Sequence, residues 1–244
     1  KIVEGYNSVI SALENNRVLE IIALEKNLDS KKVKDLIKIA QQKKVEVKNI
    51  KSKNEWEFTS TEYVAAICVP KTIYSESDLK KFDETNFIVC DHIQDTNNLG
   101  AIARSAASFD FNVMCVPERR SARLSERTFK ISSGGLEKID ILEYKSIFSL
   151  IKKFQSLNVW TIGLDMDGEA EIESLDLGNQ KLAFFIGSEE KGLSDEIKNK
   201  LDSVVRIKMS KNVESLNVSV AAGIAMQHIF TVSYTHLTLP TTQV

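Results

Sequence analysis

The chain has too few cysteines to be held together by them. Cys68, Cys90 and Cys115 are odd in number, lack metal-type spacing, and each lies in an apolar run. That excludes a disulfide scaffold and reads as buried, reduced thiols of a cytoplasmic protein. No apolar stretch approaches the roughly 20 residues that cross a bilayer, and no signal peptide is visible. A membrane partner is therefore not expected. Positive charge is not in excess either: 32 Lys and Arg stand against 34 Asp and Glu, a net charge of −2. This excludes a chain that is basic all over, but not one with a local basic face. The dinucleotide fingerprint G-x-G-x-x-G does not follow the first strand of the second half, so a nucleotide-bearing ligand would need another kind of pocket. Histidine is scarce: His92 follows a strand and reads as structural or supporting, and His228 falls on the last helix. The D-x-D-G fragment at Asp165 to Gly168 lacks the other ligands of a calcium loop and reads as a turn, so no metal is expected.

What is present fits one large or two small domains, with 244 residues and an apolar share of 43%. Residues 1–70 read as a small α/β domain. The pattern predicts a helix over 3–15, a strand over 19–26 and an amphipathic helix over 31–42, with Val33, Leu36, Ile37 and Ala40 inward. Strands are predicted over 45–50 and 63–69. From Lys26 to Lys53, ten lysines oppose three acids, a local excess of +7; Lys31 and Lys32 open the second helix. Such a face gains free energy on phosphates by releasing counterions, without reading base sequence. Residues 71–84, after Pro70, are polar and read as a linker.

From residue 85 onward strands alternate with helices, which implies a parallel sheet covered on both faces. Three stretches repeat the order strand, polar loop, helix: IVCDHIQDTNNLGAIARSAASF (88–109), LAFFIGSEEKGLSDEI (182–197) and VVRIKMSKNVESLNVSVAAGIAMQHIF (204–230). A polar loop between a buried strand and a helix start leaves free N–H groups that can hold an anion or a nucleotide. Ser215 and Asn217 stand where the last helix should begin. On the residues alone, Ser215 as a simple helix cap and Ser215 as a site residue are both open. Arg104 falls off the apolar stripe of Leu99, Ile102, Ala103, Ala106 and Ala107. Residues 118–130 collect Arg119, Arg120, Arg123 and Arg127, whose guanidinium forks suit phosphate. They are candidate RNA contacts.

Three sets of residues carry a resemblance. Asn98, Gly100 and Arg104 match N-x-G-x(3)-R; Gly187, Glu189 and Gly192 match G-x-E-x-x-G; Ser215 to Val220 read S-L-N-V-S-V. In order and spacing they resemble the three motifs of the SpoU/TrmH family of RNA ribose 2′-O-methyltransferases. Ile2, Gly5 and Val9 resemble the start of that family's N-terminal substrate-binding domain. The resemblance is strongest toward members that methylate a guanosine in the peptidyl-transferase loop of 23S rRNA. It implies an α/β fold: a C-terminal trefoil-knot (SPOUT) methyltransferase domain over 85–230, after a small ribosomal-protein-like RNA-binding domain. It implies S-adenosylmethionine as methyl donor, held at Gly187, Ile207 and Leu216 with Met209 beside them. Asn98, Glu189, Ser215 and Asn217 would position the ribose. Arg104 would contact RNA phosphate or ribose and help activate the 2′-hydroxyl. The resemblance also implies a homodimer through the knot, with the last helix in its interface. Alternatives are a tRNA ribose methyltransferase, an rRNA resistance methyltransferase and, in another class, a non-catalytic RNA-binding or ribosome-assembly protein.

Residues 231–244, TVSYTHLTLPTTQV, are discordant. They resemble translated adapter DNA and are expected to be a non-native tail that makes no core. Lys1 in place of Met leads one to expect residues before it.

Overall fold

The computed structural model describes residues 1–82, 85–119, 124–176, 180–210, 212 and 214–238, with 234–238 described as backbone only. Arg120 and Arg123, two of the expected RNA contacts, lie outside the described residues.

The first unit begins with β1 (Ile2–Glu4), α1 (Tyr6–Glu14), β2 (Val18–Leu24), α2 (Lys31–Gln42), β3 (Glu46–Ile50) and β4 (Val64–Cys68). Its sheet order is β1-β4-β2-β3, with β2 and β3 parallel and β4 antiparallel to its two neighbours. The helix expected over 3–15 starts three residues later. Val3 and Glu4 pair with Ala66 and Ala65 of β4, and Gly5, at φ 86°, turns the chain from strand into helix. Glu62 Oε2 accepts the Tyr6 N–H at 2.8 Å, which satisfies one of the free donors of α1. α2 keeps its expected limits because Ser30 caps it, its side chain accepting from the Val33 N–H at 3.3 Å. Val33, Leu36 and Ala40 are buried as the spacing predicts.

The second unit contains β5 (Ile73–Ser75), β6 (Phe87–Cys90), α3 (Thr96–Ser108), β7 (Val113–Pro117), α4 (Glu126–Ile131), α5 (Gly135–Lys138), β8 (Asp140–Tyr144), α6 (Ile147–Ser156) and β9 (Trp160–Leu164). It continues through β10 (Ala170–Glu171), β11 (Leu182–Ile186), α7 (Asp195–Lys198), β12 (Ser203–Arg206) and α8 (Val218–Thr238). Its eight strands run β10-β12-β9-β11-β6-β7-β8-β5, every neighbouring pair parallel. Part of the stretch expected as linker is thus sheet: Ile73 to Ser75 pair with Ile141 to Glu143.

The central strands read as unbroken apolar runs because both of their faces are covered. Ile88 and Cys90 of β6 and Phe184 and Ile186 of β11 join the core under α3 and α8. Phe87, Val89, Ala183 and Phe185 join the core under α6. This layering brings the loops after β6 and β11 side by side; the Asp91 N–H donates to Ile186 O at 2.8 Å. Ligands of open parallel sheets gather at these carboxyl ends. The expected tail is corrected in part: the backbone of α8 runs on to Thr238, and Val232 packs against the core it was expected to miss.

Candidate active site

The loop after β11 is folded back on itself through glycines. A Cβ on Gly187 would lie 2.0 Å from the carbonyl carbon of Gly192 and 2.4 Å from Leu193 N, so no other residue fits there without moving backbone. Gly192 takes φ +61° and donates its N–H to Ser188 O at 3.0 Å. A cavity of about 280 Å³ opens beside this turn, near the lower end of the roughly 300–1,000 Å³ usual for small-molecule sites. Its walls come from the end of β9 (Leu164 to Asp167), the loop Gly187 to Gly192, and the segment before α8. Gly187, Ile207, Met209 and Leu216 all line it, and so do Glu189 and Ser215.

Beside the cavity, three residues from the three motif segments are joined, with Glu189 in the cavity lining. Asn98 Nδ2 donates to Glu189 Oε1 at 3.2 Å, and Asn217 Nδ2 donates to Asn98 Oδ1 at 3.0 Å. The Gln94 and Asp95 N–H groups, 3.3 Å from the Glu189 oxygens, complete the set. Burial by itself would raise the Glu189 pKa. Hydrogen bonds from its own N–H, Asn98, Asp95 and Gln94 outweigh burial and hold the carboxyl below its ordinary range. The result is a fixed carboxylate at the mouth of the cavity.

Asn217 also caps α8: its Oδ1 accepts from Ser219 N at 2.9 Å and Val220 N at 3.4 Å. Of the two readings open for Ser215, the cap falls instead to Asn217, two residues later, and Ser215 lines the cavity. Asp165 was read only as part of a turn, yet it is a wall of the cavity. Its carboxylate accepts from Leu193 N at 3.2 Å and Asp167 N at 3.1 Å, and lies 3.7 Å from Lys198 Nζ. Its signal in the sequence was its place directly after an apolar strand.

Arg104 stands apart from this set. It lies on α3 six residues beyond Asn98, about 9 Å along the helix axis, and is exposed. Among the described residues its guanidinium has no hydrogen bond or ion pair. Arg127 comes closer: its guanidinium donates to Asn97 Oδ1 at 3.3 Å, beside Asn98. Arg119 borders a second cavity, of about 500 Å³, with Lys145 and His92. His92 has φ 57° and its Nδ1 is 2.6 Å from the buried Asp91, which also accepts from Tyr144 Oη at 3.2 Å. Lys31 and Lys32 are exposed at the start of α2, Lys32 Nζ lying 5.8 Å from the Tyr6 ring centroid. Neither lines the first cavity.

Two family models match the chain: the SpoU rRNA Methylase family over residues 85–227, and RNA 2′-O ribose methyltransferase substrate binding over residues 2–57. The chain belongs to the SpoU rRNA methylase family. The 23S rRNA (guanosine-2′-O-)-methyltransferase RlmB of Xylella fastidiosa is 30% identical to this SpoU chain over 92% of its length and 93% of that protein. The fold matches the SpoU methyltransferase AviRb of Streptomyces viridochromogenes, solved with the cofactor AdoMet. The TM-score is 0.78 at 19% identity, covering 96% of this chain and 90% of that one. An AdoMet-bound rRNA methyltransferase of Sinorhizobium meliloti matches with TM-score 0.76 at 18% identity, covering 98% of this chain and 88% of that one.

Proposed function

We propose that this SpoU family enzyme uses S-adenosylmethionine to methylate the ribose 2′-hydroxyl of a guanosine in 23S rRNA, in the peptidyl-transferase loop. The observation that carries the reading is the Asn98, Glu189 and Asn217 junction at the mouth of the cavity. It ties together the three segments that carry the motif residues, and its Glu189 lines the cavity proposed for the donor.

The cavity suits the donor. Ile207, Met209 and Leu216 offer apolar walls, while the missing Cβ of Gly187 exposes backbone for close approach. Asp165, Asp167, Glu189 and Glu190 outnumber Lys191 and Lys198 in the lining, which leaves it net negative toward a cationic ligand. Bound there, S-adenosylmethionine supplies an electrophilic methyl group, so the protein needs to orient and desolvate rather than form a covalent bond of its own. Glu189, held ionised by four hydrogen bonds, orients Asn98; Asn98 and Asn217 then present amide groups to the ribose, with Ser215 on the cavity wall. Arg104 contacts RNA phosphate or ribose. It is the candidate to favour loss of the 2′-hydroxyl proton by stabilising the negative charge that develops.

The distance of Arg104 from the junction supports a site built from two copies of the chain. The last helix offers a surface for such pairing: Val220 and Ile224, four residues apart, are 50% and 43% exposed. We therefore read the protein as a homodimer through a knotted second unit. The cytoplasm, where rRNA is modified, is its expected location. The lysine face of α2 and Arg119, Arg120, Arg123 and Arg127 would follow the RNA backbone. The match of residues 2–57 to a substrate-binding model supports an RNA substrate, and the 23S rRNA enzyme that aligns over 92% of this chain at 30% identity supports rRNA. Nuclease digestion of a treated 23S rRNA domain V transcript, followed by mass spectrometry, should yield 2′-O-methylguanosine. A different methylated nucleoside would reject the assignment.

A further inference from the structure

The two units of this protein meet at a buried ion pair. Glu137, in α5, has a fully buried side chain that pairs through Oε2 with Arg17, whose side chain is 10% exposed. Arg17 also donates to Val69 O from Nε at 3.2 Å and from a terminal nitrogen at 2.8 Å, which ties it to the end of its own sheet. The Glu137 backbone is held as well. Its carbonyl accepts from Asn15 Nδ2 at 2.7 Å and from Lys71 Nζ at 3.3 Å. Every donor comes from residues 15–71, and the acceptor belongs to the second unit.

The other side of the same turn touches the helix that carries Arg104. A Cβ on Gly135 would lie 2.8 Å from Arg104 Cα and 3.0 Å from Arg104 N. Next to it, Gly134 takes φ +89°, and a Cβ there would meet Ser11 Oγ of α1 at 2.6 Å. The Gly134–Gly135 turn is therefore wedged between α1 and the backbone of Arg104, with no room for a side chain on either face.

Stability alone does not account for the ion pair. Apolar residues of similar size commonly serve as well as a buried pair, and among the described residues the buried Glu137 Oε1 has no hydrogen-bond partner. What a charged, directional pair adds is a single docking geometry.

We propose that Glu137 is a positioning residue: through Arg17 it fixes the first unit against α3, so that RNA held by the first unit meets Arg104 in one register. The inference rests on the function proposed above for its RNA arm only. The test uses the full chain with two variants, Glu137→Gln and the double replacement Arg17→Met with Glu137→Met, which leaves no buried charge unpaired. Hydrogen exchange at residues 101–108, KM for a 23S rRNA domain V transcript and the Kd for S-adenosylmethionine are measured together.

The expected result is faster exchange around Arg104 and a KM for RNA raised roughly tenfold, with the donor Kd unchanged. If Glu137→Gln does not fold, the double variant carries the comparison alone. Wild-type exchange and wild-type KM in a folded variant would overturn the proposal. Faster exchange with an unchanged KM would equally reject it, leaving the pair as a structural fastening. If the wild-type protein transfers no methyl group to any RNA, the functional reading fails instead, and the exchange comparison still decides whether Glu137 holds α3.

Discussion

Asn217 Nδ2 reaches Asn98 Oδ1 at 3.0 Å across 119 residues of chain. The bond fastens the start of the last helix to the first turn of α3. The same Asn98 donates onward to Glu189, so each of the three loops limits the freedom of the other two. Removing the middle member should loosen all three.

Asn98→Ala leaves Glu189 and Asn217 each without one partner. Both of those groups are exposed, so water replaces the lost bonds and the unfolding free energy should fall by only about 1 kcal/mol. Methyl transfer should fall more than donor binding. Equal loss of both, by urea denaturation and calorimetric titration, would mean that Asn98 only supports the cavity.

Arg104→Ala should behave in the opposite way. The side chain is exposed and has no partner among the described residues, so melting should stay at its wild-type value. The donor Kd should also hold. Turnover should drop by at least about 10²-fold if the residue assists proton loss from the ribose. Normal turnover would remove Arg104 from the mechanism.

Gly187→Ala places a methyl group 2.0 Å from Gly192 backbone. Overpacking of this kind costs about 1–3 kcal/mol and should close the cavity as the loop shifts. Donor binding is the sensitive readout. A variant that binds the donor as tightly as wild type would show that the turn between Gly187 and Gly192 is not a wall of the donor site.

Glu189 links stability to acidity. Its folded pKa lies below the ordinary value of 4.5, so its bonds stabilise the folded state fully above that value. The contribution disappears as pH falls through the depressed folded value. Glu189→Gln should therefore melt lower at neutral pH yet lose less stability on acidification. Parallel melting curves against pH for the two proteins would contradict the hydrogen-bond account.

Much of this arrangement was legible in the residues, for a physical reason. β6 and β11 are apolar along their whole length because they are buried on both faces, and α2 shows its inward stripe and its Ser30 cap. The cavity residues Gly187, Ile207, Met209 and Leu216 were named through a motif resemblance that the cavity lining matches. Short elements were not legible. β1 has three residues and exists through its pairing with β4, more than sixty positions away, and β5 depends on β8 in the same way. No local pattern announces such partners. The choice of Asn217 over Ser215 as cap depends on where the loop from β12 ends. The Arg17 and Glu137 pair, separated by 120 residues, leaves no trace in spacing.

The most direct measurement of the central claim is methyl transfer itself. The protein is incubated with radiolabelled S-adenosylmethionine and, separately, with unmodified 23S rRNA domain V transcript and tRNA transcript. Modified riboses are then mapped by primer extension at low nucleotide concentration. The account predicts label at one guanosine of the peptidyl-transferase loop, with no label when Asn98 or Arg104 is replaced by alanine. Label confined to tRNA, or no label from a folded protein that binds the donor, would contradict it.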